Sequence, residues 1–285
     1  MSDGILEFTG ERFTPECVRE IRYEHWARYA FALPLARGKR VLDAACGEGY
    51  GSAMLASAAA SVLGVDIAEQ AVAHARSRYG AQANLRFERG DCTALDAEPA
   101  SFDLVVSFET LEHVAAQAEL IAGFARALAD DGVLVVSSPD KRTYSDSSGF
   151  RNEFHVRELY RDELLALLAP HFPQVRLYGQ KLLFQSAIWS LESPPRSASA
   201  VTLAESSATP RPGLDYAPLY FIAVCSRRPL PELPDVSLFG DREESVYAHY
   251  NGEVRRNMAA GGRIAELEGE VARLHSELDR LKSRR

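Results

Sequence analysis

Cysteine is scarce and scattered. Cys17, Cys46, Cys92 and Cys225 include no C-x-x-C pair, which excludes a disulfide framework and leaves no zinc ligand set to consider. Buried free thiols are the expectation. Long apolar runs are missing as well: the longest small-and-apolar stretch, Met54 to Val65, is about half of the roughly 20 residues a membrane span requires. Basic excess is also absent. Lys and Arg number 32 against 40 Asp and Glu, a net charge of −8, which argues against a protein that grips nucleic acid through its phosphates. The opening MSDGILEFTGER has no basic segment followed by an apolar one, so a cytoplasmic location is expected.

What the chain does contain is the composition of a globular protein, 46% hydrophobic and 25% charged over 285 residues, enough for one or two domains. From Lys39 to Ser138, short β-branched or apolar runs alternate with longer Ala-rich segments. The runs are RVLDAA (40–45), SVLGVD (61–66), NLRFERGD (84–91), FDLVVSF (102–108) and GVLVVSSP (132–139). Such alternation predicts an α/β fold, a parallel sheet with helices on both faces. The helices fall at 50–59, 69–79 and 115–128, the last ending at Asp130-Asp131-Gly132 with Gly132 as a left-handed cap. Before this core, residues 19–36 read as an amphipathic helix with Ile21, Trp26, Tyr29, Ala30 and Leu33 near one side. After it come a helix at Glu158 to Leu168 and strands at 174–180 and 218–227. A Ser- and Pro-rich stretch, 192–213, reads as a surface excursion. The domain reading is a helical cap (1–38), a central domain (39–230), a linker (231–262) and a separate helix (263–285).

That last helix carries Ile264, Val271 and Leu278 at one heptad position and Leu267, Leu274 and Leu281 at the other. Ile and Val at a with Leu at d predict a two-stranded parallel coiled coil, hence a homodimer. Its g-to-e′ pairs, Arg263 with Glu268, Glu270 with His275 and Glu277 with Lys282, contain no repulsion. Gly261-Gly262 would act as a hinge before it.

Chemistry concentrates at the strand ends. Asp43-Ala44-Ala45-Cys46-Gly47-Glu48-Gly49-Tyr50-Gly51 follows the first strand and opens a helix, and Gly47, Gly49 and Gly51 let the backbone turn tightly and approach a ligand. Asp66 ends the second strand, where a carboxylate can accept two ribose hydroxyls, and Asp91 ends the third, placed to meet an adenine edge. Helix capping is the plainer role for either acid. A nicotinamide-binding turn is a rival reading, but its third Gly would fall on Ser52. An assembly subunit that uses the fold as a scaffold is a second rival.

At these residues the chain resembles the class I S-adenosylmethionine-dependent methyltransferases. RVLDAACGEGYGSAML and VVSFETLEHV are similar to the branch that methylates small molecules, quinone precursors and sugars, although the family's first motif Gly is Ala45 here. The resemblance implies a Rossmann-like, mostly parallel seven-stranded sheet and S-adenosylmethionine as cofactor. Asp43 and the Gly47–Gly51 turn would meet its amino-acid part, Asp66 with Ile67 its ribose side, and Asp91 with Cys92 its adenine. Ser107 and Phe108 would floor the methyl. GERFTPE (10–16), FETLEHV and NEFHVRELY resemble methyltransferases of bacterial surface-polysaccharide pathways, so the implied acceptor is a hydroxyl of a sugar or other small molecule.

The most informative segment is Phe108-Glu109-Thr110-Leu111-Glu112-His113. If it is helical, Glu109, Glu112 and His113 share a face. His113 can then act as general base with a glutamate orienting it. A divalent metal on the trio is an open alternative rather than the expectation. This E-x-x-E-H pattern resembles the metal-bearing segment of ubiquinone-pathway and small-RNA O-methyltransferases, which supply a further His; Asn152 and His155 are the candidates here. His25, Trp26 and Tyr29 could roof the site.

Overall fold

A computed structural model describes residues 20–192, 199–203 and 211–283. Cys17, GERFTPE (10–16) and the 193–198 and 204–210 parts of the excursion lie outside the described residues. The chain divides into two units, one built on residues 21–239 and one on 240–285.

The first unit opens with α1 (Glu20–Ala32) and a 3-10 turn (Leu33–Ala36). It continues through β1 (Arg40–Ala44), α2 (Tyr50–Ala56), β2 (Ser61–Asp66), α3 (Glu69–Tyr79), β3 (Leu85–Arg89), β4 (Phe102–Ser107), α4 (Gln117–Ala127) and β5 (Leu128–Pro139). Then come α5 (Arg161–Leu168), β6 (Gln174–Gln180), a two-residue pair β7 (Val201–Thr202) and β8 (Arg211–Pro212), and β9 (Tyr220–Ser226). The main sheet has seven strands in the order β3-β2-β1-β4-β5-β9-β6. β9 alone runs antiparallel to its neighbours, wedged between β5 and β6. The parallel strands are added outwards in one direction from β1 to β3 and in the other from β4 to β5, so the order reverses between β1 and β4. That switch point opens a crevice at the carboxyl edge, the place where such sheets take ligands.

Period-two alternation along each strand feeds two cores. Val41, Leu104, Val106, Val135 and Val224 pack on one face with Tyr29, Leu55 and Val72 from α1, α2 and α3. Leu42, Val105, Leu134 and Val136 pack on the other with Phe124, Leu164 and Phe172. Both sheet faces are therefore covered, as a strand such as β4, buried from Leu104 to Ser107, requires. Each fully buried Leu or Val contributes about 1.5–3 kcal/mol.

Two local expectations are corrected. The end of α4 is not a left-handed Gly132. That residue lies inside β5, and the helix's terminal carbonyls are taken by Arg227, whose Nη1 donates to Ala125 O (2.8 Å) and Nη2 to Leu128 O (2.7 Å). On α1 the buried stripe is Glu24, Arg28, Tyr29 and Ala32, not one centred on Trp26.

The second unit is α6 (Ser245–Lys282), 38 residues without a break. Gly261-Gly262 is helical rather than a hinge, and the helix starts well inside the predicted 231–262 linker. Two central glycines cost about 1 kcal/mol each, partly offset by pairs on either side, Glu253 with Arg256 and Arg263 with Glu266 at 2.9 Å. Every a and d residue from Ile264 to Leu281 is exposed on it.

Gly51 in α2 lies under Tyr29. A Cβ there would sit 2.0 Å from the ring, far inside contact distance. Gly51→Ala is therefore expected to lose about 1–3 kcal/mol in urea unfolding, and parent-like stability would contradict this packing.

Candidate active site

The turn after β1 is held by its backbone. Cys46 N donates to Val65 O and Gly49 N to Cys46 O, both at 3.0 Å. Gly47 and Gly49 take left-handed φ angles of 54° and 83°. Ala45 does the same at 61°, so the residue at the position of the first Gly in the motif that the chain resembles bears a Cβ in a conformation that costs roughly 1–2 kcal/mol.

Asp66 fastens this turn to the end of β2. Its Oδ2 accepts Gly47 N at 2.8 Å and its Oδ1 accepts Ala68 N at 2.9 Å. Each oxygen keeps a second lone pair for a hydroxyl. Ile67, next in the chain, presents an exposed apolar side chain. Asp91 shows the capping role: Oδ1 accepts Thr93 N (2.8 Å) and Thr93 Oγ1 (2.7 Å), and these bonds hold its carboxyl below its ordinary range. Burial pushes the neighbouring Cys92 thiol up to about 12. Cys46 is likewise raised by burial, so neither is a nucleophile.

Asp43 is enclosed behind the turn. It accepts Ser52 Oγ at 2.6 Å and Tyr29 OH at 3.1 Å, with no cation beside it in these bonds. Burial pushes its carboxyl up to about 7, opposed by the two hydroxyls and reinforced by Asp66. Phe108 is buried edge-on to Tyr29 at 5.0 Å. Ser107 is buried too, and its Oγ has no hydrogen-bond partner among the described residues.

The E-x-x-E-H segment is not one helical face. Glu109 has a left-handed φ of 51°, and only Leu111–His113 forms a 3-10 turn. Backbone reversal sends the two glutamates apart. Glu109 N donates to Ser137 Oγ (2.9 Å), Ser137 Oγ donates back to Glu109 Oε1 (2.7 Å), and Arg28 Nη2 lies 3.3 Å from that same oxygen. Glu112 is fully buried with neither carboxyl oxygen hydrogen-bonded. Burial, then Glu109, drives its carboxyl well above the usual range, which favours the neutral acid.

His113 stands beside it. Phe154 O can only accept, so His113 Nδ1, 3.1 Å away, carries the proton. Nε2 is then the lone-pair nitrogen, 3.9 Å from Glu112 Oε1. The 152–157 loop is docked here because Val156 N and Arg157 N both donate to Glu112 O, at 2.8 and 3.0 Å. His155 thereby comes edge-on to His113, with ring centroids 4.9 Å apart.

Glu112, His113 and His155 each offer a ligand atom within 4.8 Å of the others, the donor set of a divalent metal. The buried oxygens of Glu112 suit a cation. His155 does not: its Nδ1 donates to Glu158 Oε1 (2.6 Å) and its Nε2 takes Asn152 Nδ2 (3.0 Å), an amide whose orientation is fixed by Phe154 N on Asn152 Oδ1 (3.1 Å). Both imidazole nitrogens are engaged, so the arrangement does not fit a metal without moving Asn152.

Sequence reasoning missed Arg28. It is fully buried, donates from Nε to Gln180 Oε1 (2.7 Å) and lies 4.5 Å from the Tyr220 ring. Burial works against its charge, but Glu109 and its other neighbours raise its pKa above the ordinary value. No local pattern on the helix marks it, since its buried neighbours on that face are Glu24, Tyr29 and Ala32. Trp26 stacks on Tyr50 at 5.7 Å, and His25 Nδ1 shares a hydrogen bond with Tyr50 OH at 3.1 Å. His25 and Trp26 thus pack on Tyr50, and Tyr29 is part of the core on this face of the sheet.

Residues 41–132 match the family model described as a methyltransferase domain. A Mycobacterium tuberculosis protein named "probable S-adenosylmethionine-dependent methyltransferase" is 39% identical over 170 residues, 59% of this chain and 61% of that one. A Neisseria meningitidis ubiquinone biosynthesis O-methyltransferase is 37% identical over 114 residues, 38% of this chain and 48% of that one. The chain thus spans about three fifths of the first relative and about half of the second. Two solved structures share the fold. The YcgJ protein of Bacillus subtilis has a TM-score of 0.52 at 20% identity, covering 72% of this chain and 100% of its own. A Haloferax volcanii methyltransferase, solved with the Trm112 methyltransferase activator, has 0.54 at 18%, covering 73% and 92%.

Asp43 generates a pH dependence with a definite sign. Its folded value lies above its ordinary value of 3.8. The stability it contributes is therefore complete below about pH 4 and lost as pH rises towards about 7. Asp43→Asn removes that loss, so the variant's urea midpoint relative to the parent should climb between pH 5 and pH 8. A constant difference would contradict the buried, uncompensated carboxyl.

Proposed function

We propose that this chain, which carries a class I S-adenosylmethionine-dependent methyltransferase domain, is an O-methyltransferase acting on a hydroxyl of a sugar, glycan or other small molecule. The observation that carries the reading is the placement of His113: Nδ1 lies 3.1 Å from Phe154 O, which can only accept, and Nε2 lies 3.9 Å from Oε1 of the buried Glu112. The bound cofactor supplies an electrophilic methyl on a sulfonium. The chain's own residues have three tasks: to align the acceptor, remove its proton and exclude water. His113 Nε2 is placed to take the proton of the acceptor hydroxyl. Glu112, driven by burial towards its neutral form, does not compete for that proton. Glu109 is held by Ser137 and paired with Arg28. Asp66 holds the turn and would hold the ribose. The acceptor class rests on the polysaccharide-pathway resemblance of FETLEHV and NEFHVRELY, and the relative named as an O-methyltransferase supports oxygen as the nucleophile.

Mass spectrometry over a panel of sugar and quinone-like acceptors tests this through a product about 14 Da heavier, the mass of one added CH₂. His113→Ala should lower transfer by roughly 10² with cofactor affinity and melting temperature near the parent's. Normal turnover, or early unfolding, would overturn the base assignment. Activity should persist in excess EDTA; its loss would restore the metal reading.

We further propose that the chain pairs with a second copy through α6. The exposed a/d seam from Ile264 to Leu281 and its non-repelling flanks support a parallel homodimer. Leu274→Asp should turn a dimer into a monomer in light scattering while cofactor binding persists. A monomeric parent at micromolar concentration would contradict it.

A further inference from the structure

A cleft of about 1050 Å³ in the first unit is lined by none of the strand-end acids Asp43, Asp66 or Asp91. It lies between α1 (Tyr23, Glu24), the end of β5 (Asp140) and the chain leaving β6 (Gln180 to Leu183). One layer of side chains divides it from the E-x-x-E-H segment. Gln180, in its wall, accepts Arg28 Nε at 2.7 Å, and the other end of that guanidinium lies 3.3 Å from Glu109. The volume is at the upper end of small-molecule sites, more than a bare monosaccharide fills.

Its lining is of two kinds. Charged and hydroxyl side chains such as Asp140, Arg142 and Tyr160 stand at the sheet edge, while Leu182, Leu183, Leu214 and Leu238 form the outer wall. From that wall the chain continues as extended backbone into the most water-exposed apolar segment described. Ile188 is 98% exposed, Leu191 87% and Trp189 64%. Three large apolar residues within four positions, left facing water, are a standing cost unless something apolar covers them. They follow the cleft-lining residues Leu182, Leu183 and Gln185 in the chain. The net charge of −8 disfavours an anionic bilayer as that cover.

We propose, building on the methyltransferase reading, that the cleft is the acceptor site and that the acceptor is an amphiphile: a hydroxyl-bearing polar head in the cleft and a hydrocarbon tail laid along Leu183–Leu191. To reach His113 the head would displace the Gln180–Arg28 contact that divides the cleft from it. The tail would supply binding energy remote from the reacting oxygen, which can be used to align it.

The chain has two tryptophans, so Trp26→Phe leaves Trp189 as a reporter. In that variant, n-dodecyl maltoside below its micelle concentration should shift the Trp189 emission to the blue and saturate. Octyl maltoside should bind at least about tenfold more weakly, the direction set by four fewer methylenes, and maltose should give no shift. Ile188→Asp, at a fully exposed position and therefore harmless to folding, and Leu183→Asp should each abolish the dependence on chain length. A shift indifferent to chain length, one surviving both substitutions, or no saturable shift at all would overturn the proposal. S-adenosylhomocysteine binding, measured on the same variants by calorimetry, reads the cofactor assignment separately. Its failure would count against the methyltransferase reading and leave the cleft result standing.

Discussion

The bond from Gly47 N to Asp66 Oδ2, 2.8 Å long, is the contact on which the rest of the site depends. β1 and β2 are neighbours in register from Arg40 with Ser61 to Ala44 with Val65, so their carboxyl ends emerge side by side, and the turn after β1 could leave the sheet edge in many directions. One carboxylate, accepting from Gly47 on one oxygen and Ala68 on the other, fixes that direction. Once the turn is fixed, α2 must run beneath α1, Gly51 must lack a Cβ to admit Tyr29, and Tyr29 can reach Asp43. The aromatic packing, the buried carboxyl and the open crevice follow from one hydrogen-bonded acid in a position where it still has acceptor capacity to spare.

A second constraint is charge balance at the crevice. Four acids, Asp43, Asp66, Glu109 and Glu112, crowd the carboxyl edge, and full ionisation of all of them in a buried space would be costly. The structure distributes the cost. Asp66 is solvated by backbone amides and Glu109 is paired with Arg28. Asp43 and Glu112 are shifted towards their neutral forms by burial. The edge therefore keeps enough negative charge to favour a cationic cofactor, while Glu112 stays a poor competitor for the proton that His113 accepts. Arg28 matters here because a neutral residue at that position would leave the half-buried Glu109 without its cation.

Much of this was legible in the sequence wherever a short period governs structure. β2 and β6 lie at the residues their alternation predicts, and the strand-end acids follow from the strands. The trio at 109–113 was misread because helical spacing assumes right-handed backbone throughout, and a non-glycine left-handed residue such as Glu109 leaves no compositional trace. Arg28 was passed over because a charged residue on a half-apolar helix is ordinarily solvated; only the tertiary position of Tyr220 and Glu109 reveals that it is not. Gly132 and Gly261-Gly262 misled in the same way. Glycine permits a cap or a hinge without requiring one: at the end of α4 Arg227 takes the carbonyls instead, and Gly261-Gly262 lie within an unbroken helix.

The account's central claim is that the tied turn and Asp66 bind an adenosyl cofactor, not a dinucleotide whose third glycine would fall on Ser52. Titration calorimetry of the purified chain with S-adenosylhomocysteine and, in parallel, with NADH tests it most directly. Saturable heat with one S-adenosylhomocysteine per chain and none with NADH is the predicted result. Binding of NADH, or of neither compound, would contradict it.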